Sequence, residues 1–255
     1  MQDGNLIRSI STSGVVTTLA GSTTNTTRVD GTGASAGIVA IASNATAGMG
    51  VSPDGNWLYF INDGYLRKMG INPSDSANYR KVTSPVLLPT STVNVGNGGL
   101  VFSSDGNSIY YFRNGSASTP IKVDLLTNTT SPFLLDGNAA NTVYPFLFTK
   151  GPGNTAFMQT HPSLGTYIGG FYQVNLATGA MTRLGNDPTA SLSAYRSGAY
   201  NAVTNELLVD FHAGAPVIID ANSGAIKFTL PATGDTFGDG PGGTIDSSEA
   251  ITVLD

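Results

Sequence analysis

The two ends of the chain read as two halves of one repeat. Residues 250–255 (AITVLD), continued by residues 3–10 (DGNLIRSI), give an apolar run, an Asp-Gly turn and a second strand-like run. Residues 58–69 (LYFINDGYLRKM) show the same succession inside the chain. A repeat that is completed across the termini is what a closed ring of repeats requires. The sequence therefore predicts a ring, and it constrains the architecture far more than the chemistry.

A hairpin motif recurs along the chain. Residues 48–60 (GMGVSPDGNWLYF) and 98–112 (GGLVFSSDGNSIYYF) each place an Asp-Gly turn between two apolar runs, with the aspartates 51 residues apart at Asp54 and Asp105. Asp-Gly between apolar runs is a strong hairpin signal. Looser copies, each a pair of apolar runs around a turn, lie at 144–158, 199–209 and 243–254.

Two further strand-like runs follow several of these hairpins, and four strands per unit is the count of a propeller blade. We therefore predict an all-β fold, a five-bladed β-propeller with four-stranded antiparallel blades, as a single domain over residues 1–255. Its last blade is formed by residues 237–255 plus 1–21, so that the N-terminal strands pair with the C-terminal hairpin. An excerpt from a longer array of blades is the alternative. The further strands are expected at 120–125, 132–135, 171–176, 180–184, 217–220, 225–230, 6–10 and 15–19.

Composition excludes several classes of function. Charged residues make up 11% of the chain, with 17 acidic and 12 basic side chains, against about 25% in typical soluble domains. The scattered bases form no stripe of the kind that nucleic acid requires, so we expect no nucleic-acid partner. No apolar run approaches about 18 residues, so we expect no membrane insertion, and no signal peptide is visible in the chain as given. The chain has no cysteine, which excludes a thiol nucleophile and a zinc–thiolate site.

The N-terminal quarter carries a family resemblance. Residues 6–22 (LIRSISTSGVVTTLAGS), with DGTG at 30–33, resemble the NHL repeat of bacterial exported proteins. Residues 52–59 (SPDGNWLY) are similar to the related YVTN and TolB-type propeller repeats. The close match covers about residues 4–70, and the usual apolar-Pro stretch is replaced by ASAGIVAIA at 34–42. The resemblance implies a propeller fold and an exported protein, whereas propellers of this kind serve as scaffolds, binders and enzymes alike.

One column of the repeat alignment is polar where the neighbouring strand positions are apolar. It falls at the connection between the second and third strands, and such connections share one face of a propeller. We therefore predict that this face recognises a ligand, with the longer connection 161–170 as its most variable wall. The alternative is a solvated rim without a ligand. The column consists of Asp63, Asn114, His161, His212 and Asp255.

Two other features are candidate binding sites. Trp57 is the one tryptophan, in a column that is polar in the other repeats. Its ring either stacks on a sugar or anchors a partner, or it fills the junction between two blades. Residues 235–246 (DTFGDGPGGTID) bring Asp235, Asp239 and Asp246 together among glycines, which suits Ca²⁺ as the one cofactor the sequence suggests. The alternative there is a plain connection into the last blade.

The sequence contains few residue patterns that are typical of catalytic sites. Neither histidine lies in a nucleophile motif, and no spacing singles out Asp210, Asp246 or Glu249 as the carboxylate pair of a glycoside hydrolase. With the low charge and the Thr/Asn/Ser/Gly-rich surface, this predicts a non-catalytic recognition or assembly module that binds a protein or a glycan. We expect it to be extracellular, on a cell surface or on a virion. The alternative is a metal-assisted carbohydrate-active or lactone-cleaving enzyme with its site at the propeller axis.

Overall fold

The computed structural model describes residues 2–40, 48–89, 99–112, 117–167, 169–186, 195–211 and 217–229. Their regular structure consists of strands β1 to β20 and two single-turn 3-10 helices at Gly33–Ser35 and Leu135–Gly137. Neighbouring strands within each sheet are antiparallel. None of the helices in these ranges has the length and apolar character needed to cross a membrane.

The strands form five sheets in chain order. The N-terminal sheet has three strands, and each of the following four sheets, blades 1 to 4, has four strands that run outward in sequence. In blade 1 the short strand β4 adds a fifth strand outside β8. The bounds are β1 Gln2–Asp3, β2 Leu6–Ile10 and β3 Val16–Gly21 for the N-terminal sheet; β4 Gly31–Thr32, β5 Met49–Val51, β6 Trp57–Asn62, β7 Tyr65–Gly70 and β8 Lys81–Leu87 for blade 1; β9 Val101–Phe102, β10 Ser108–Tyr111, β11 Ile121–Asp124 and β12 Thr129–Pro132 for blade 2; β13 Val143–Lys150, β14 Thr155–Gly165, β15 Gly170–Asn175 and β16 Met181–Asn186 for blade 3; and β17 Tyr195–Asn201, β18 Glu206–Phe211, β19 Val217–Asp220 and β20 Ile226–Thr229 for blade 4.

Apolar cores join the sheets in series, which is the arrangement of a β-propeller. Each of four cores is built from two successive sheets, so each sheet is packed face to face against the next one in the chain. Aromatic rings cross three of these junctions edge-on or tilted, in the geometry that adds about 1 kcal/mol to the area effect. The pairs are Tyr59–Phe102 at 5.4 Å between blades 1 and 2, Phe112–Phe148 at 4.8 Å between blades 2 and 3, and Phe157–Tyr200 at 5.4 Å between blades 3 and 4; Ile7, Ala20, Phe60, Met69 and Val82 fill the junction between the N-terminal sheet and blade 1.

The predicted Asp-Gly hairpins are present, and their side chains explain the motif. In blade 1 the hydroxyl of Ser52 donates to Asp54 Oδ1 at 2.5 Å, and the amide N–H of Asn56 donates to the same oxygen at 3.0 Å. Gly55 has φ +71°, the left-handed region that glycine tolerates best. Blade 2 repeats these bonds at Ser103, Asp105, Gly106 and Asn107, with distances of 2.5 and 3.0 Å and a glycine φ of +72°.

An asparagine that the sequence analysis did not single out marks the same position in all four blades. It lies directly before the second strand, and its backbone carbonyl accepts the N–H of the residue that follows the third strand. We call the connections from the first to the second strand and from the third to the fourth strand the lower connections. The bond ties these two connections of each blade together and gives the repeat a common register. The pairs are Asn56 with Ile71 and Asn107 with Leu125 at 2.9 Å, Asn154 with Leu176 at 2.9 Å, and Asn205 with Ala221 at 3.2 Å.

One predicted strand is displaced. Residues 132–135 were expected to be the fourth strand of blade 2, but β12 covers Thr129–Pro132. The carboxylate of Asp124 accepts the N–H groups of Leu126 and Thr127, and Asn128 adopts φ +55°. This tight turn starts the strand at once, and Leu135 then lies buried in the core between blades 2 and 3.

The connection between the N-terminal sheet and blade 1 is held by a buried guanidinium. We call residues 22–40 the strap. Arg67 on β7 is fully buried and donates from Nη1 to the carbonyl of Gly37 at 2.6 Å, and from Nη2 to the carbonyl of Val29 at 2.8 Å and to Asp30 Oδ1 at 3.2 Å. Its Nε donates to the hydroxyl of Ser84 at 3.1 Å. One side chain therefore binds the strap at two places, at Val29 and Asp30 where it leaves the N-terminal sheet and at Gly37 where it returns.

We expect the substitution Arg67→Met to lower the free energy of unfolding by about 3–5 kcal/mol, because it removes the charged hydrogen bonds to the carbonyls of Gly37 and Val29 and breaks the ion pair with Asp30. Urea denaturation of the full chain measures the loss. Lys81→Met, at an exposed position on the adjacent strand, serves as the control and should change the value by no more than about 0.5 kcal/mol. Equal stability of the two variants would show that the strap is held by other contacts.

Candidate functional site

The upper face is the face on which the second and third strands of each blade connect. In blade 1 this connection is the two-residue turn at Asp63 and Gly64, with φ +50° and +76°. Both residues lie in the left-handed region, as in the primed turns that match the twist of a hairpin. The turn joins Asn62 directly to its cross-strand partner Tyr65, and the Asp63 side chain is 51% exposed.

Four side chains gather at this turn, and we call Arg28, Asp63, Tyr65 and Leu87 the rim patch. The Arg28 guanidinium carbon lies 3.8 Å from the centre of the Tyr65 ring, and Arg28 Nε lies 3.3 Å from Asp63 Oδ2. Leu87 is directly opposite Tyr65 in the β7–β8 ladder and is 64% exposed. The patch thus combines a stacked guanidinium, an aromatic ring, a carboxylate and an aliphatic side chain at the surface.

The strap residue Asp30 supports the rim patch from below. Asp30 accepts the hydroxyl of Ser84 at 2.6 Å and its backbone N–H at 3.0 Å, in addition to Arg67. Burial acts to raise the pKa of Asp30, but the hydrogen bonds from Ser84 and the charge of Arg67 outweigh it and hold the pKa below its usual value. Burial lowers the pKa of Arg67. Arg28 is two residues from Asp30, so these bonds fix its backbone beside Tyr65.

Asn62 completes this support. Its side chain accepts the N–H of Val39 at 3.1 Å and donates to the carbonyl of the same residue at 2.8 Å. The Asn62 side-chain amide therefore makes the same two hydrogen bonds to the Val39 backbone that a neighbouring strand would make. Asn5, in the turn of the N-terminal sheet, donates to the carbonyl of Ile38 at 2.6 Å, so the strap is bonded to both sheets that it connects.

Blade 3 forms the corresponding part of the upper face, and its second strand is longer than the sequence predicts. His161 was expected in a loop, but it lies within β14, which continues to Gly165 and pairs there with Val143. The His161 ring contacts the Tyr144 ring edge-on at 5.3 Å. Because β13 and β14 both extend to this level, residues 161–165 are held in the sheet and the connection is shorter than the sequence suggests.

The end of this connection is tied to the preceding linker. The Tyr167 hydroxyl donates to the carboxylate of Asp136, and Asn141 Nδ2 donates to Tyr167 Oη at 3.0 Å. Burial, followed by the bond to Asp136, raises the pKa of Tyr167. The N–H of Thr166 donates to the carbonyl of Thr142 at 2.7 Å. Blade 3 therefore presents a fixed wall at its upper end.

Trp57 lies at the opposite end of β6 from Asp63. Its ring is half-buried and packs against the core between blades 1 and 2, and Lys68 Nζ lies 4.4 Å from the ring centre. This location corresponds to the alternative in which the ring fills a blade junction. Lys150 is also at the lower end, where its ammonium donates to the carbonyls of Gly153 and Thr155, and burial lowers its pKa.

The other site residues predicted from the sequence lie outside the part of the chain that the structure describes. Among the ranges that the structure describes, no group of three or more His, Asp or Glu side chains could hold a metal ion. The sequence-predicted calcium ligands, three members of the polar column and the proposed carboxylates are elsewhere in the chain. Asn114, His212, Asp255, Asp235, Asp239, Asp246 and Glu249, together with the side chain of Asp210, lie outside the described residues.

The described sheets and their order define a β-propeller protein. The chain matches no protein-family model, and no curated protein matches its sequence. Among solved structures it is similar to the dihydro-heme d1 dehydrogenase NirN in complex with DHE, at 16% identity and a TM-score of 0.46. The match covers 78% of this chain and 40% of that one, so the chain spans less than half of that protein's length. A likeness at this level has no bearing on function.

We expect the acid stability of the fold to depend on Asp30. Its pKa is lower in the folded chain than the unfolded value of about 3.9. Its contribution is therefore complete above that pH and is lost as the pH falls through the folded pKa. We measure the free energy of unfolding by urea denaturation between about pH 5 and pH 2. As the pH falls, this free energy should decrease less for Asp30→Asn than for the natural chain.

The variant Ser84→Ala provides an internal comparison, because it removes the hydroxyl bond to Asp30 but leaves the carboxylate and Arg67 in place. Its loss of unfolding free energy at low pH should be intermediate between those of the natural chain and Asp30→Asn. All three losses should be modest, since the Asp30 side chain is 48% exposed and solvent screens its ion pair. Parallel curves for all three proteins would contradict the assignment.

Proposed function

We propose that this chain is a non-catalytic recognition or assembly module that binds a protein or a glycan on its upper face. The rim patch is the observation that carries the proposal. Arginine and tyrosine are the residues most enriched at the centres of binding sites, where an aliphatic neighbour adds apolar contact. Arg28 is already oriented by Asp63 and by the Tyr65 ring, so a partner would order few additional bonds on contact.

The propeller geometry supports a composite site. Each blade contributes one upper connection, and blade 3 adds His161, Tyr144 and the fixed wall at Tyr167 to the patch on blade 1. We propose that Asp63 and His161 belong to one recognition face, together with Asn114, His212 and Asp255. A rigid scaffold that presents several short connections is a common basis for recognition. Ca²⁺ at Asp235, Asp239 and Asp246 remains part of the proposal.

The proposed setting is outside the cytoplasm, on a cell surface or a virion. The resemblance of residues 4–70 to NHL and YVTN-type repeats of exported proteins supports it, as does the low content of charged residues. The alternative is a metal-assisted carbohydrate-active or lactone-cleaving enzyme at the axis. That function requires inward carboxylates such as Asp210, Asp246 and Glu249, and hydrolysis of a screened glycan or lactone would establish it.

We propose further that the ring closes with a fifth blade, formed by residues 237–255 and the N-terminal sheet as one domain over residues 1–255. The register supports this closure. Asp3 pairs with Leu6 across a two-residue turn in the N-terminal sheet, as Asn62 pairs with Tyr65 between the second and third strands of blade 1. Strands β1, β2 and β3 thus correspond to the end of a second strand and to a complete third and fourth strand.

A partly exposed apolar row on blade 4 also supports closure. Leu208, Ile218 and Phe228 are paired across three neighbouring strands. Their sequence neighbours Leu207 and Ile219 pack toward blade 3, so this row points to the other side of the sheet. Phe228 is 54% exposed. A fifth blade packed between blade 4 and blade 1 would bury this row.

The binding proposal predicts that Arg28→Ala weakens a partner found by glycan array or by affinity capture from the natural setting. We expect the dissociation constant to rise about tenfold or more, because the stacked guanidinium is the centre of the patch. Isothermal titration with the purified partner measures it. The control is Leu126→Ser, an exposed position in a lower connection of blade 2, which should bind as the natural chain does. Loss of binding in Leu126→Ser with full binding by Arg28→Ala would place the working surface on the lower face.

The closure proposal predicts that deletion of residues 1–21 destabilises every blade. It removes Ile7 and Ala20 from the junction with blade 1 and would strip two strands from the fifth blade. Calorimetry should show a lower and broader transition for the whole chain. A transition as sharp and as high as that of the full chain would rule out the ring.

A further inference from the structure

The polar atoms of the rim patch are only partly used within the chain. Arg28 binds Asp63 Oδ2 through Nε, and its guanidinium carbon lies over the Tyr65 ring. Within the described ranges, neither Nη group of Arg28 makes a hydrogen bond, and Asp63 Oδ1 accepts none. The side chains of Arg28 and Asp63 are 32% and 51% exposed. The patch therefore offers the N–H groups of both Nη atoms and one carboxylate oxygen to a partner.

The free Nη groups favour a ligand that carries one carboxylate. The two Nη atoms of an arginine form a planar fork that matches a carboxylate through two parallel hydrogen bonds. Asp63 fixes Nε and Tyr65 supports the guanidinium, so the direction of the fork is set before a ligand arrives. The buried neighbour Arg67 already has its own carboxylate, Asp30, so the region has no surplus positive charge for a group with several negative charges. A single carboxylate fits this balance best.

The free oxygen of Asp63 requires a different group on the same ligand. An ionised carboxylate only accepts hydrogen bonds, so Asp63 Oδ1 favours hydroxyl donors and repels a second carboxylate. A sugar acid provides both groups, because its ring carries hydroxyl groups beside the carboxylate, and the C–H groups of the ring fit Leu87, which is 64% exposed. A protein partner needs about 800 Å² of surface with an apolar centre, whereas Leu87 is the one aliphatic side chain of the patch.

Tyr65 and Leu87 lie on the face of blade 1 that is turned away from blade 2. Their sequence neighbours Leu66 and Val86 are buried in the core between blades 1 and 2, and successive side chains of a strand point to opposite faces. Leu88, the first residue after β8, is buried in the same core. The described chain beyond β8 therefore turns toward blade 2 and away from the rim patch.

The strap ends nearer the propeller axis than the rim patch. Val39 is bonded by the side chain of Asn62 at the end of β6, and the carbonyl of Gly48 accepts the N–H of Ile61 on the same strand. Strand β6 lies on the axis side of β7, which carries Tyr65. The described residues that flank 41–47 are thus bonded to β6 and not to the patch.

We propose that the rim patch binds a uronic acid residue of a polysaccharide. This inference rests on the proposed recognition function and names the chemical class of its ligand. The Nη groups of Arg28 bind the carboxylate, Asp63 Oδ1 accepts a ring hydroxyl, and Leu87 contacts the C–H groups of the ring. A uronic acid fits better than a sugar acid that caps a glycan, because the patch is a rim of exposed side chains that a polysaccharide can cross. Added salt weakens the binding, since the new ion pair is partly exposed.

Isothermal titration of the full chain with tetramers of galacturonic, glucuronic and mannuronic acid tests this proposal. The matched ligand is the methyl ester of each tetramer, which keeps the hydroxyl groups and removes the negative charge. We expect the natural chain to bind at least one of the acids. Its methyl ester should bind at least about tenfold more weakly, because the ester forms no charge-assisted hydrogen bonds with Arg28.

Variants of Arg28 separate the charge of the side chain from its geometry. Arg28→Lys keeps the charge but lacks the fork, so its affinity for the acid should lie between those of the natural chain and Arg28→Ala. In Arg28→Ala the acid and its methyl ester should bind equally. The control is Leu126→Ser in a lower connection of blade 2, which should bind both ligands as the natural chain does. The melting temperature of each variant verifies that it is folded.

The proposal is overturned if none of the acids binds, if they bind no more tightly than their methyl esters, or if a folded Arg28→Ala variant binds them as the natural chain does. It is equally overturned if tetraglutamate or a sulfated tetrasaccharide binds and the uronic acids do not. These outcomes leave the proposed function intact as long as Arg28→Ala weakens a partner found by glycan array or affinity capture. If that partner also binds the variant unchanged, the rim patch is not the recognition surface and both proposals fail.

Discussion

The position of the strap depends on a single buried guanidinium. Arg67 bonds the carbonyls of Val29 and Gly37, which belong to opposite limbs of the strap, and the carboxylate of Asp30 between them. An ion pair with a half-exposed carboxylate adds little net stability by itself, and the best attested role of a buried charge such as Arg67 is to specify one arrangement. Here the arrangement extends to the surface, because the strap carries Arg28 to Tyr65. The geometry of the rim patch is therefore set by a residue that no partner could touch.

The blades combine two kinds of force with different roles. Apolar cores between successive sheets supply most of the driving force, since burial is roughly proportional to area and needs little directional precision. The turns supply register: Asp54 and Asp105 hold their hairpins through the same bonds, and an asparagine carbonyl joins the two lower connections in every described blade. Recognition residues can then vary on the upper face, because neither the cores nor the lower turns depend on them.

The local motifs were predictable and the long-range ones were not. The Asp-Gly hairpins follow from residues adjacent in sequence, so their positions were correct. Strand β8 was not among the predicted strands, and it contains Pro85, a residue that argues against a strand. The proline is tolerated because it lies beyond the short stretch of β8 that pairs with β4. The contact of Arg28 with Asp63 and those of Arg67 with the strap join residues 30 or more positions apart. One signal was available: an arginine between Leu66 and Met69, on a strand whose other residues are largely apolar, has to find buried acceptors.

Most of the shifted pKa values among the described residues lie further from neutrality than the ordinary values do. A general acid or base works best with a pKa near neutrality, which sites achieve by raising carboxylates or lowering amines. Here turn hydrogen bonds lower the pKa of Asp54, Asp105 and Asp220, and burial raises that of Tyr59 and Tyr167. Each of these shifts moves a pKa further from neutral pH. At pH 7 the carboxylates therefore stay ionised and the tyrosines stay protonated. Lys150 moves the other way, but its ammonium is engaged by turn carbonyls. The described polar groups are therefore arranged to hold the turns and the strap in one shape, which is the property that the proposed recognition function requires of them.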